Sequence, residues 1–228
     1  MNALIQNNRF FKRINSGNAG MGEVLLLSCL FSISLSVFRI LYTGSPMFVF
    51  LSWNLFLAAV PYFLTESLMR RPEWIERKWI FGGVFCAWLL FIPNSFYIIT
   101  DLFHLEKGTD VPQWFDLALI LSFAWNGLLL GVLSVLRMEL IVKVRLGMKA
   151  GWPFIYPLMF LNAFGIYLGR YLRYNSWDIV TDPFSLFENI VLLLLHPLRH
   201  RLDWSMIICY AALMTIMYLS VKKLRKAG

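Results

Sequence analysis

Six stretches of the chain, residues 24–42, 47–64, 79–99, 117–136, 154–168 and 204–221, are predominantly apolar, and polar residues collect in the connections between them. Each stretch is near the roughly 20 residues that an α-helix needs to cross the hydrocarbon core of a bilayer. The pattern predicts an all-α integral membrane protein built as a six-transmembrane-helix bundle. Between the first two stretches, Thr43-Gly44-Ser45-Pro46 is a tight cluster of helix breakers that makes them an antiparallel hairpin. A further apolar segment, inside FSLFENIVLLLLHPLRH, runs for only about a dozen residues between the fifth and sixth stretches. That length is too short to span and predicts an interfacial or re-entrant helix. With no internal repeat, low-complexity segment or long linker, residues 1–228 read as a single polytopic membrane domain.

Composition points the same way. Hydrophobic residues are 59% of the chain, the mean hydropathy is +0.64 and only 15% of residues are charged, so one soluble core could not hide the apolar surface. The basic residues then orient the bundle. They gather before the first stretch (Arg9, Lys12, Arg13), between the second and third (Arg70, Arg71, Arg77, Lys78), between the fourth and fifth (Arg137, Lys143, Arg145, Lys149) and in the tail (Lys222, Lys223, Arg225, Lys226). These alternate connections share one side, which holds 15 of the 21 basic residues and 5 of the 13 acids. The positive-inside rule places that side, and both termini, in the cytoplasm of a cell membrane, with a bacterial plasma membrane the expected location. The basic pI of about 9.6 is thereby explained by collars that attract anionic membrane lipids, and nucleic acid is not an expected partner. The first stretch is long for a signal peptide and lacks a small-residue cleavage site. Cys29, Cys86 and Cys209 have neither paired nor metal-ligand spacing and read as packing residues.

Against this apolar background a few polar residues need a reason. Asn54, Asn94, Asn126 and Asn162 each lie within an apolar stretch, where they can join helices by hydrogen bonds or line a polar cavity. Pro93 removes a helical hydrogen bond beside Asn94 and predicts a kink or break near the exit of the third stretch. Beyond it come Thr100, Asp101 and His104, with Thr100 and His104 on one face if the helix continues. The fifth stretch ends in GRYLRYNSWD, where Arg170 and Arg173 at i and i+3 can complement the helix dipole, pair with Asp101, Asp116 or Asp178, or clamp a phosphate or carboxylate.

FIPNSFYIITDLFHL and FGIYLGRYLRYNSWD resemble the two signature segments of an uncharacterised bacterial membrane family, domain of unknown function 1361, whose usual pattern is LPNAPYxxTDLxHL followed by GRFLRWNSWD. Ser95-Phe96 stands where the family often has Ala-Pro, and Tyr174 where it often has Trp. The resemblance implies a polytopic membrane protein whose marked residues are Asn94, Thr100, Asp101, His104, Arg170, Arg173, Asn175 and Asp178. It implies no particular reaction.

All three histidines, His104, His196 and His200, fall on the expected outer side. In H-P-L-R-H, Pro197 suits the first position of a helix, which would put His196 at the cap and His200 one turn on. With Asp116 the three form an inventory suited to zinc and an activated water. The order Thr-x-x-x-His, Asp, His-x-x-x-His also resembles the alkaline ceramidase and adiponectin receptor superfamily, which differs in having Ser at the Thr100 position and seven helices. The leading expectation is a membrane-embedded enzyme acting on a lipid or lipid-linked anionic substrate, with Asp101, His104 and Asp116 as catalytic groups. Asn94, Thr100, Arg170, Arg173, Asn175 and Asp178 would bind that substrate. The alternative is a transport, binding or assembly protein in which the same residues form a structural network.

Overall fold

The computed structural model describes residues 19–105, 111–146, 151–174 and 181–227, and every regular element among them is helical. In chain order these are α1 (Ala19–Thr43), α2 (Val49–Arg70), α3 (Pro72–Glu76), α4 (Lys78–Tyr97), a 3₁₀ helix (Ile98–His104), α5 (Gln113–Leu146), α6 (Trp152–Arg170), α7 (Pro183–Leu195) and α8 (Arg201–Ala227). Five helical segments are long and apolar enough to cross a membrane: Gly22–Thr43, Val49–Arg70, Lys78–His104, Gln113–Arg145 and Arg201–Arg225. Several such helices suggest a multi-pass membrane protein. The apolar stretch at 154–168 forms α6, but Pro157, Asn162 and Arg170 dilute its 19 residues, and it is not among the five. Most helices outrun their apolar stretches. α2 continues to Arg70, whose guanidinium reaches back one turn to Glu66 at 2.9 Å, an i, i+4 pair that supports the last turn.

The described helices fall into two compact units, Met1–Met148 and Lys149–Gly228. In the first, α5 packs against α1, α2, α4 and the 3₁₀ helix, and α2 packs on both α4 and α5. α5 is the most enclosed helix, with 67% of its apolar window buried against 22–28% in the other four. Its glycines explain how closely its neighbours approach. A Cβ at Gly127 would strike Ile98 Cγ2, and one at Gly131 would sit 2.8 Å from Ser95 Cβ, so this Gly-x-x-x-Gly seam is where α4 and the 3₁₀ helix lie on α5. Leu51, Leu55, Ile98, Leu119, Ile120 and Phe123 close the core around that contact. The predicted turn between α1 and α2 uses Gly44 at φ +69, whose amide donates to Ile40 O and ends α1 with a left-handed cap.

In the second unit α6 packs against α8. α7 is fixed at both ends. Asp182 caps it by accepting from Ser185 N and Oγ, with Pro183 in the first turn. At the other end Pro197 does not open a helix, contrary to the sequence reading. The residue before a proline is disfavoured in the α region, so His196 (φ −120, ψ 57) instead terminates α7, and α8 begins at Arg201.

Candidate functional site

The change from α4 to a 3₁₀ helix decides which groups of PNSFYIITDLFH share a face. α4 runs through Pro93 to Tyr97, and the change of helix type comes only at Ile98. With three residues per turn, positions i and i+3 eclipse, so Asp101 and His104 share a face and the expected Thr100–His104 pairing does not arise. His104 Nδ1 lies 3.3 Å from Asp101 O, while Thr100 Oγ1 turns back to Tyr97 O at 2.6 Å. A proton on Nδ1 shared with that carbonyl makes Nε2 the basic nitrogen of the ring. The imidazole packs against Phe50 with centroids 5.0 Å apart and stays half-buried.

Asp101 itself is completely buried, and Asn54 Nδ2 from α2 donates to its Oδ2 at 2.9 Å. Asp116, also buried, is held differently. Arg39 of α1 grips it bidentately, Nε to Oδ1 at 2.7 Å and Nη2 to Oδ2 at 3.2 Å, with the guanidinium 4.5 Å from the Phe48 ring centroid. At one end of the unit, then, Arg39 grips one buried carboxylate through both oxygens, and Asn54 donates to one oxygen of the other.

Below them a row of hydrogen bonds descends α2 at residues 54, 58, 61 and 65, a single helical face. Ser95 Oγ donates to Ala58 O at 2.8 Å, and Ser134 Oγ donates to Pro61 O at 2.8 Å while accepting from Trp88 Nε1 at 2.8 Å. Hydroxyls from α4 and α5 thus bond to backbone carbonyls of α2 on either side of the turn that Pro61 occupies. On the other side of α5, Asn126 Nδ2 donates to Ser28 O and Ser32 Oγ. At the far end Arg137 Nη1 meets Glu66 at 2.7 Å and its guanidinium lies over the Tyr62 ring. Arg39, the serines and the two glycines of α5 were not singled out from sequence as site residues. For the glycines the spacing Gly127-x-x-x-Gly131 inside an apolar helix was the available signal.

The asparagines do not form one cluster. Asn54 and Asn126 go to the separate partners above, Asn94 Nδ2 donates to Phe91 O, and Asn162 is buried with neither amide atom hydrogen-bonded. In the second unit Arg170 is half-buried at the end of α6, and Arg173 stands exposed with φ +60. Tyr174 N reaches back six residues to Leu168 O, so Arg173 occupies the left-handed cap position that glycine usually fills. Asn175 and Asp178 lie outside the described residues. His200 Nδ1 pairs with Asp203 Oδ2 at 2.8 Å. Among the described residues no three His, Cys, Asp or Glu side chains come together as a metal-binding group; His104 belongs to the first unit, and His196 and His200 to the second. The cysteines are free thiols, Cys29 half-buried and the other two exposed.

A family model described as "Protein of unknown function (DUF1361)" matches residues 53–217. The chain belongs to this family. Both PNSFYIITDLFH and GRYLRYNSWD lie inside the DUF1361 match, as do Asn54 and Asp116, whereas Arg39, the cation on Asp116, comes from the helix that precedes it. No curated protein and no solved structure matches the chain.

Proposed function

We propose that the chain is a bacterial plasma-membrane protein that crosses six times with both termini in the cytoplasm, and that its first unit acts on a lipid-linked anionic substrate with His104 as the acid–base group. The alternation of basic connections supports the orientation. α6 supports the sixth crossing, because 19 residues at 1.5 Å each reach roughly 28 Å. The observation that carries the catalytic reading is the 3₁₀ turn, which sets a half-buried imidazole against the backbone carbonyl of a residue whose own carboxylate is buried. Asn54 orients Asp101, the Asp101 carbonyl orients the ring, and Nε2 is the nitrogen that takes a proton from water or a substrate hydroxyl in this reading. Arg170 and Arg173 supply anion-binding chemistry in the second unit. In this reading Asp116 is a positioning residue, because Arg39 already occupies it.

The test is to reconstitute the full chain in vesicles containing a panel of lipid phosphates and follow headgroup release by mass spectrometry. His104→Gln is expected to lower turnover about 100-fold or more at unchanged melting temperature. Turnover that survives, or falls only in step with melting temperature, overturns the catalytic role. The ion pairs Arg39–Asp116 and Arg137–Glu66 favour a second reading, a transport or assembly protein in which the polar residues brace the helices. That reading expects graded losses at many positions and abolition at none.

A further inference from the structure

The exposed face of α7 is apolar except for Glu188 at its flank. Phe184 is 86% exposed and Phe187 68%, and Leu194 and Leu195 continue the same side of the helix. Leu198 and Leu202, also exposed, extend it into the start of α8. The opposite face is tied down. Leu193 is buried, Asn189 Nδ2 donates to Tyr174 Oη at 2.8 Å, and Trp204 Nε1 donates to Leu193 O at 3.3 Å. The apolar stripe is therefore the side that the unit presents outward. At 13 residues, and with a cap at one end and a proline stop at the other, α7 reaches only about 20 Å and cannot be extended into a span. It is continuous through a five-residue connection with α8, a helix long and apolar enough to cross a membrane.

The rim has the opposite character. Arg199 and Arg201 are exposed in and just after the turn, and Arg173 is exposed at the end of α6. None of the three has an acidic partner among the described residues. Arg173 also keeps a left-handed backbone that disfavours any residue but glycine, at a cost of roughly 1 kcal/mol. An apolar stripe bordered by unpaired guanidinium groups complements one environment well, the boundary between acyl chains and phosphate headgroups. Trp204, stacked on Phe160, stands at the same junction, as indole rings do at membrane surfaces.

We infer that α7 and the following turn form an in-plane anchor seated in the leaflet reached by the first turn of α8, with Arg173, Arg199 and Arg201 on the phosphates of anionic lipids. The anchor depends on the chain being membrane-inserted and not on any reaction at His104. The two therefore fail separately.

The test uses the full chain with its three cysteines replaced by alanine, checked by melting temperature. A nitroxide is attached at Phe187→Cys, at Leu194→Cys as a second position, or at Glu188→Cys, and the protein is reconstituted in phosphatidylcholine vesicles with and without phosphatidylglycerol. Labels at 187 and 194 are expected to favour oxygen over a water-soluble nickel complex about threefold more than the label at 188, as membrane burial requires. Phosphatidylglycerol is expected to raise that preference. Arg199→Gln with Arg201→Gln is expected to remove the increment while leaving the basal preference intact, since each arginine near an anionic surface contributes a roughly fivefold factor. Aqueous values at both 187 and 194 overturn the anchor. Spin–spin broadening that disappears on dilution with unlabelled protein overturns it in favour of a face between two copies. A preference indifferent to phosphatidylglycerol overturns the phosphate contacts.

Discussion

Asp101 and Asp116 are both buried at one end of the first unit, yet they are held by opposite means. Asp116 meets Arg39 through two hydrogen bonds from a guanidinium, so its charge is cancelled in place. Asp101 meets a neutral amide from Asn54, and the nearest titratable ring on its own turn is His104. A carboxylate locked to a cation in a low-dielectric interior braces two helices and has little freedom left for chemistry. The contrast separates an acid gripped by a guanidinium from one that accepts a hydrogen bond from an amide within a single polar region, a distinction that burial alone would miss.

The strongest way to break the comparison is to remove the cation. Arg39→Met leaves Asp116 buried and unpaired, and should cost about 3–5 kcal/mol of unfolding free energy, measured by steric trapping in detergent micelles. Adding Asp116→Leu should return most of that loss, because the pair contributes through mutual satisfaction more than through net attraction. No recovery in the double variant would mean that Asp116 has a further role. A smaller effect is expected from Gly127→Ala. Its new methyl group meets Ile98, the first residue of the 3₁₀ turn, and should destabilise by about 1–3 kcal/mol in spite of the better helix propensity of alanine. Because the clash lies on the Asp101 side, it should disturb the His104 environment, read as a changed imidazole NMR shift, while leaving Arg39–Asp116 intact. The least effect on stability belongs to Asp101→Asn, an isosteric change expected to cost less than about 1 kcal/mol. It sharpens the contrast if turnover on lipid phosphates nonetheless falls about 100-fold. Equal stability losses at Asp101 and Asp116 would erase it.

Much of this organisation was legible in the sequence because it follows from short-range rules. The apolar stretches became helices, the Thr43–Pro46 breakers became the turn between α1 and α2, and the short apolar segment became the separate helix α7, stopped at His196 by Pro197. Other readings failed where two local preferences compete. Pro197 could begin a helix or end one, and only the preceding apolar residues of α7 decided for the end. The kink or break expected from Pro93 near the exit of its stretch is a different case: α4 continues past the proline and gives way to the 3₁₀ helix five residues later, still near that exit, where Gly127 leaves room for Ile98.

Helical periodicity, turn chemistry and total hydropathy are properties of neighbouring residues and need no fold to act, so the sequence by itself determined an all-helical, membrane-suited chain and its family. Pairing is different. Arg39 and Asp116 are 77 residues apart, and Asn54 and Asp101 are 47 apart. Which acid receives the guanidinium and which the Asn54 amide depends on the rotation of α1, α2, α5 and the 3₁₀ helix about their axes, and the 3₁₀ helix is seated where Ile98 packs on Gly127. The tertiary structure alone decided it, because a hydrogen bond needs its partners within about 3 Å and a helix face turns by 100° with every residue.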